Sequence, residues 1–193
     1  MAVVHNTTLE PGKLDLLTAW LPSRDWFTGA VPRLHRAGGF RLDDPAGEVG
    51  IECMIVIDTA DTDLPVYFVP LTYRGAPLPG GELVGTTEHG ILGHRWVYDG
   101  ASDPVALAQL AALLTGAAEA QHQHHSDTLA DTVELLAAQP DSSLTVRIHR
   151  TPGTVAGSPR GRVIASWTDP DGNPARGVVL EATTDPAHGE TMT

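Results

Sequence analysis

The sequence predicts an α+β protein, an antiparallel β-sheet with a few helices packed against one face. Three observations lead there. From Glu48 to Arg74 two strand-like runs flank a polar turn. At Asp103-Pro104 a helix start is written in the residues: an N-capping carboxylate, then proline at the first helical position. Near the C-terminus Asp169-Pro-Asp-Gly-Asn-Pro174 separates two further β-rich runs, and Asp-Gly supplies positive φ at little cost.

Composition sets the bounds. A chain of 193 residues with 41% hydrophobic content is long and apolar enough to bury a core, and is read as one domain over residues 1–193. A net charge of -12 argues against nucleic acid or an anionic membrane surface as partner, since both would be repelled. A single cysteine, Cys53, excludes an internal disulfide and a cysteine-built zinc site. Its place in an apolar alternation predicts a buried, inert thiol. The N-terminus has neither the basic nor the apolar region of a signal peptide, and no run is long enough to span a membrane, so a cytoplasmic location is expected.

The elements follow in order. Residues 1–10 read as a lead-in arm. Pro11 suits a first helical turn, and Leu14, Leu17 and Leu21, widened by Leu16 and Trp20, recur at helical spacing until Pro22 stops them. Trp26 and Phe27 then fall in a loop, where they either plug the end of a core or form a partner-contact surface. Gly39–Asp43 reads as a short strand, and Asp44-Pro-Ala-Gly47 as a turn. In the next strand Val49, Ile51, Cys53, Ile55 and Ile57 share one apolar face; Gly50, Glu52, Met54, Val56 and Asp58 share a mixed one. That pattern predicts a half-buried strand. In its partner Pro70 cannot donate to a ladder, which makes the strand an edge or a bulge at that point.

Residues 75–82 read as a loop and Ile91–Tyr98 as a strand. Leu107, Leu110, Ala111 and Leu114 give the helix after Asp103 its apolar stripe, with Gly116 near its end. The following AAEAQHQHH is compatible with helix, and Ser126 or Asp127 could cap another helix running to Ala138. Leu144–Arg150, Arg162–Thr168 and Ala175–Ala182 are the late strands, so residues 140–184 read as an extension of the sheet and 185–193 as a loose tail.

Catalytic patterns are scarce. His122 and His125 lie three apart and would share a helix face, a two-point metal site at most, without the third ligand a catalytic metal needs. No metal, cofactor or catalytic residue is assigned. No phosphate-binding glycine loop and no Gly-x-Ser-x-Gly elbow is present. His89-Gly90-Ile91 begins like the His-Gly-Asp catalytic loop of aminoglycoside-phosphotransferase-like kinases, but Ile91 stands where the base is required.

Three segments in order carry a family resemblance: Leu21-Pro-Ser-Arg-Asp-Trp-Phe-Thr-Gly29, the strand ending Tyr67-Phe-Val-Pro-Leu71, and Val97-Tyr-Asp-Gly-Ala-Ser-Asp-Pro104 leading into Leu110–Gly116. Together, over residues 14–116, they resemble the N-terminal cap domain of actinobacterial maltokinases and related sugar kinases, and stand-alone proteins described as cap-like. The resemblance implies a curved antiparallel sheet with helices against it, reminiscent of cystatins. In the kinases this cap precedes two lobes that bind ATP and sugar; nothing resembling those lobes follows here, so no phosphotransfer is expected.

The function implied is a non-catalytic, cap-like binding or regulatory protein near maltose, glycogen or trehalose metabolism. Its partner would be a sugar kinase or an α-glucan enzyme, with Trp20, Trp26, Phe27 and Trp96 as contact residues. The alternative is a small-ligand binder or an enzyme with a pocket between sheet and helices, motivated by the same tryptophans and by His89 and His94.

Overall fold

The computed structural model describes residues 9–123, 128–139, 144–153 and 160–184. Its centre is the hairpin β3 (Gly50–Asp58) and β4 (Val66–Arg74), paired in continuous register from Gly50–Tyr73 to Ile57–Val66. Around it a curled six-stranded antiparallel sheet has the order β1-β5-β6-β4-β3-β2. Its other strands are β1 (Leu9–Glu10), β2 (Leu34–Leu42), β5 (Leu83–His89) and β6 (Gly93–Asp99). The late strands do not prolong this sheet. With β7 (Val133–Leu136) they form a second one, β7-β9-β10-β8, in which β8 is Leu144–Gly153, β9 Arg162–Thr168 and β10 Pro174–Thr184.

The α+β class and the curved sheet are as expected; the placement of the helices is not. Helix α1 (Lys13–Trp20) and helix α2 (Pro104–Thr115) cover opposite faces of the first sheet. Val49, Ile51, Cys53, Ile55 and Ile57 pack with Leu110, Leu113 and Leu114 of α2 and with Val163, Trp167 and Leu180 of the second sheet. The mixed face is buried too: Met54 and Val56 pack with Leu16, Leu17 and Trp20 of α1, and with Leu21 and Phe27. Strand β3 is therefore buried on both faces, because α1 and the loop after it roof the side that carries Glu52.

Several boundaries moved. Strand β2 starts at Leu34, inside the stretch read as loop, because a bulge between Arg36 and Gly38 lets the ladder run past the Gly38-Gly39 pair. Gly39 has φ +134, and a Cβ there would lie 2.2 Å from the Cys53 carbonyl oxygen. Strand β5 was not expected. Its sequence is polar because it lies at the sheet margin, with Leu16 of α1 closing over Gly85. Ile91 belongs to the β5–β6 turn and is exposed, not to a strand. The helix expected as far as Ala138 is replaced, among the described residues, by a bridge between Gln121 and Leu129 and by β7 paired to β9. Its capping residues Ser126 and Asp127 lie outside the described residues.

Other expectations hold. The Asp103 side chain accepts from the Val105 N–H, and Gly116 ends α2 in the left-handed conformation at φ +77. Strand β6 pairs with β4 only from Leu71 onward, so Pro70 does sit on an edge. Asp169 accepts from the Asp171 and Asn173 N–H groups in the β9–β10 turn.

Candidate functional site

The sequence motifs converge at one end of β4. After α1 the chain makes a 3-10 turn, Leu21–Ser23, then a loop that carries Arg24, Trp26 and Phe27. Trp26 packs edge-on to Trp20 at 5.9 Å between ring centres and tilts against Tyr67 at 6.0 Å. Phe27 is buried at 5.1 Å from Tyr67. The Tyr67 hydroxyl lies 2.8 Å from the Thr28 hydroxyl, which anchors the loop to the sheet.

Two guanidinium groups extend this aromatic cluster. Arg24 lies over Trp20 and Arg150, from β8, over Trp26, each 4.8 Å from the ring centre. Arg24 pairs with Glu82 and Arg150 with Asp99. The result is a stack Arg24–Trp20–Trp26–Arg150 with a carboxylate at each end. Such stacks contribute about 0.5–2 kcal/mol per cation–aromatic contact. Arg150 reaches this place because β8 packs against β4, whose edge before Leu71 has no β6 neighbour.

Of the expected contact residues, Trp20, Trp26 and Phe27 come together; Trp96 does not join them. It stands half-buried on β6, edge-on to His94 at 4.5 Å. Within the loop cluster Trp20 and Phe27 are buried, while Arg24 and Trp26 are half-exposed beside exposed Pro22, Ser23, Asp25 and Thr28. Sequence reasoning missed Arg24, Glu82, Asp99 and Arg150. Arg24 and Asp99 lie inside the quoted motifs; Arg150 sits in a strand with no local signal.

Two buried carboxylates brace the same sheet. Arg74 donates to both Asp103 oxygens, at 2.7 and 2.6 Å, and the Thr72 hydroxyl adds a bond of 2.7 Å. Burial pushes the Asp103 carboxyl up, but these donors and the Val105 N–H hold it below the usual carboxylate range. Glu52, on the other face, accepts from Lys13, Arg36 at 3.4 Å, the Tyr73 hydroxyl at 3.1 Å and Gln123 at 3.1 Å. Burial opposes its charge; Lys13, Arg36 and Tyr73 outweigh that and keep it ionised. Burial, with the Glu52 charge beside it, raises the Tyr73 phenol well above its ordinary value.

His89 and His94 both belong to the β5–β6 hairpin. His89 accepts from the Leu92 N–H at 3.1 Å within the hairpin turn, and His94 pairs with Glu88 at 2.6 Å on the surface. The His122 N–H donates to the Thr128 carbonyl, and His125, with which it was expected to share a helix face, lies outside the described residues. Among the described residues no cluster of three or more His, Cys, Asp or Glu could hold a metal. Cys53 is fully buried, and burial pushes its thiol far up.

Residues 20–103 match the model of the maltokinase N-terminal cap domain. This stretch is similar to the maltokinase N-terminal cap domain. The match begins at Trp20 and stops at Asp103, so the matched stretch holds Trp20, Arg24, Trp26, Glu82 and Asp99 of the stack, and Arg150 comes from beyond it. Helix α2 and strands β7–β10 also lie outside the match. No curated protein and no solved structure gives a significant match. No helix among the described residues is long and apolar enough to cross a membrane.

Proposed function

We propose that this chain is a non-catalytic binding or regulatory protein whose cap-like domain docks on a sugar kinase or an α-glucan enzyme of maltose, glycogen or trehalose metabolism. The family match over residues 20–103 carries this reading. The loop after α1 supports it chemically. It presents half-exposed Arg24 and Trp26 amid exposed polar residues, and Arg and Trp are the types that dominate binding energy at interfaces. On this reading residues 1–193 act as one unit, located in the cytoplasm, in which Trp20 and Phe27 support the contact surface from below. Trp96 contributes a separate contact on the β5–β6 hairpin.

The test is titration of the purified chain into a maltokinase reduced to its two kinase lobes. Saturable binding tighter than about 100 μM is expected, weakened tenfold or more by Arg24→Glu. Absence of binding at that concentration, or equal binding by the variant, overturns the reading. The alternative reading is a small-ligand binder or an enzyme with a pocket between the sheet and its helices. The space between the first sheet and α2 is filled by Phe40, Phe68, Leu110 and Leu114.

A further inference from the structure

A cleft of about 430 Å³ lies at the outer margin of β2, where the first sheet meets β9 and β10. It exists because of the bulge. Between Arg36 and Gly38 the strand carries one extra residue, and Gly38 lets Trp167 of β9 approach so closely that a Cβ would lie 3.3 Å from its side chain. The segment after Ala120 closes the other side, bridged to β2 through Gln121 and Arg41.

The chemistry of the lining is unlike that of the chain. The protein carries a net charge of -12, yet among the described residues no carboxylate lines this cleft. Instead Arg36, His122, Gln123, Thr132, Ser166 and Thr168 line it. Arg36 is one cation of a cluster that holds more positive than negative charge. Glu52 is the shared carboxylate, and Lys13 takes it at a shorter distance, 2.5 Å, than Arg36 does, 3.4 Å. Gln123 bridges the two regions, donating to Glu52 while lining the cleft. The Arg36 guanidinium is thus anchored by a buried carboxylate that Lys13 already serves, and it retains charge to offer a ligand.

We propose that this cleft binds a small polar molecule through an oxyanion group, a phosphate or a carboxylate. A guanidinium beside an amide and hydroxyls is the donor set such groups recognise. The volume lies in the range of small-molecule sites and exceeds what a bare oxyanion fills, so the polar body that carries the anion is held as well. The site is separate from the docking loop after α1, and its test does not depend on that reading.

Calorimetric titration of the full chain in low-chloride buffer, with inorganic phosphate, glycerol phosphate and acetate in turn, tests this. At least one should bind saturably at one site, and which one does identifies the anion as phosphate or carboxylate. Ser166→Glu places a carboxylate in the cleft at an exposed position and should weaken binding about tenfold or more, as should Arg36→Gln. Arg147→Gln removes an exposed charge elsewhere and should leave binding unchanged. If Arg36→Gln does not fold, Ser166→Glu decides alone. No saturable binding of any probe, or equal binding by wild type and Ser166→Glu, overturns the proposal.

Discussion

Arg150 of β8 stacks on Trp26, with its guanidinium 4.8 Å from the ring centre, while pairing with the buried carboxylate of Asp99. One side chain thereby ties the second sheet to the loop after α1 and to the end of β6. Asp99 also caps the 3-10 turn before α2 through the Ala101 N–H, so this pair sits where three segments meet.

Replacing Arg150 with Met keeps apolar bulk but leaves Asp99 without its cation. A buried carboxylate deprived of its partner costs about 3–5 kcal/mol. Urea unfolding of Arg150→Met should show a loss near the lower end of that range, because Arg150 is partly exposed. Arg150→Lys should recover only part of it, since an ammonium pairs with Asp99 but does not reproduce the planar stack. Equal stability of wild type and Arg150→Met would show that the pair holds nothing together.

Asp103 offers a second test, because one carboxylate caps α2 and takes both arms of Arg74. Asp103→Asn keeps a capping oxygen and loses the charge pair; Asp103→Ala loses both. Each should destabilise by about 3 kcal/mol or more, the alanine variant by about 1 kcal/mol beyond the asparagine one. Chemical denaturation of the two variants measures the difference directly.

The acid limb of stability follows from the depressed carboxyls. Glu52, Asp103 and Asp44 all have folded values below their ordinary ones. A depressed folded value means the unfolded chain takes up protons first as pH falls. The stabilisation is therefore complete above the ordinary carboxylate range, about pH 4–5, and drains away as pH drops through the folded values. Urea midpoints should be level from about pH 7 to 5 and fall steeply below about 4. Glu52→Gln should be less stable at pH 7 by about 2 kcal/mol and show a shallower acid slope. At the alkaline end the raised Tyr73 works the other way. Its contribution is intact below the ordinary phenol range and is lost as pH climbs through it.

Gly39 is where a single methyl group should do most damage. Its φ of +134 disfavours any side chain, and the added Cβ would meet the Cys53 carbonyl at 2.2 Å, backbone that cannot swing aside. Gly39→Ala should cost about 2 kcal/mol or more, whereas Gly172→Ala, strained at φ +88 but with nothing within 4 Å, should cost less. Thermal melts of the pair test the ranking.

Local signals were legible where a short stretch sufficed to produce the structure. The β3–β4 hairpin, the Asp103 cap and the Asp169 turn depend on neighbours a few residues away, and each formed as read. Pro70 marked its edge for the same reason, since a missing N–H is a local property. Strand β5 carries no apolar alternation because it lies near the sheet margin, with only the two-residue β1 beyond it. Strand β7 was mistaken for helix because Leu129, Val133 and Leu136 recur at helical spacing, while pairing with β9 is what commits Val133–Leu136 to a strand.

By itself the sequence determined the class of the fold, its central hairpin, and the resemblance to a maltokinase cap carried by the segments from Trp20 to Asp103. Their order along the chain suffices for that. Only the tertiary structure decided that β3 is buried on both faces, that the late strands form their own sheet, and that Arg24, Trp20, Trp26 and Arg150 line up. It alone also placed Arg36 at a cleft free of carboxylates among the described residues. The physical reason is common to all of these. Each depends on contacts between segments far apart in sequence, and a residue's type does not record which distant surface will cover it.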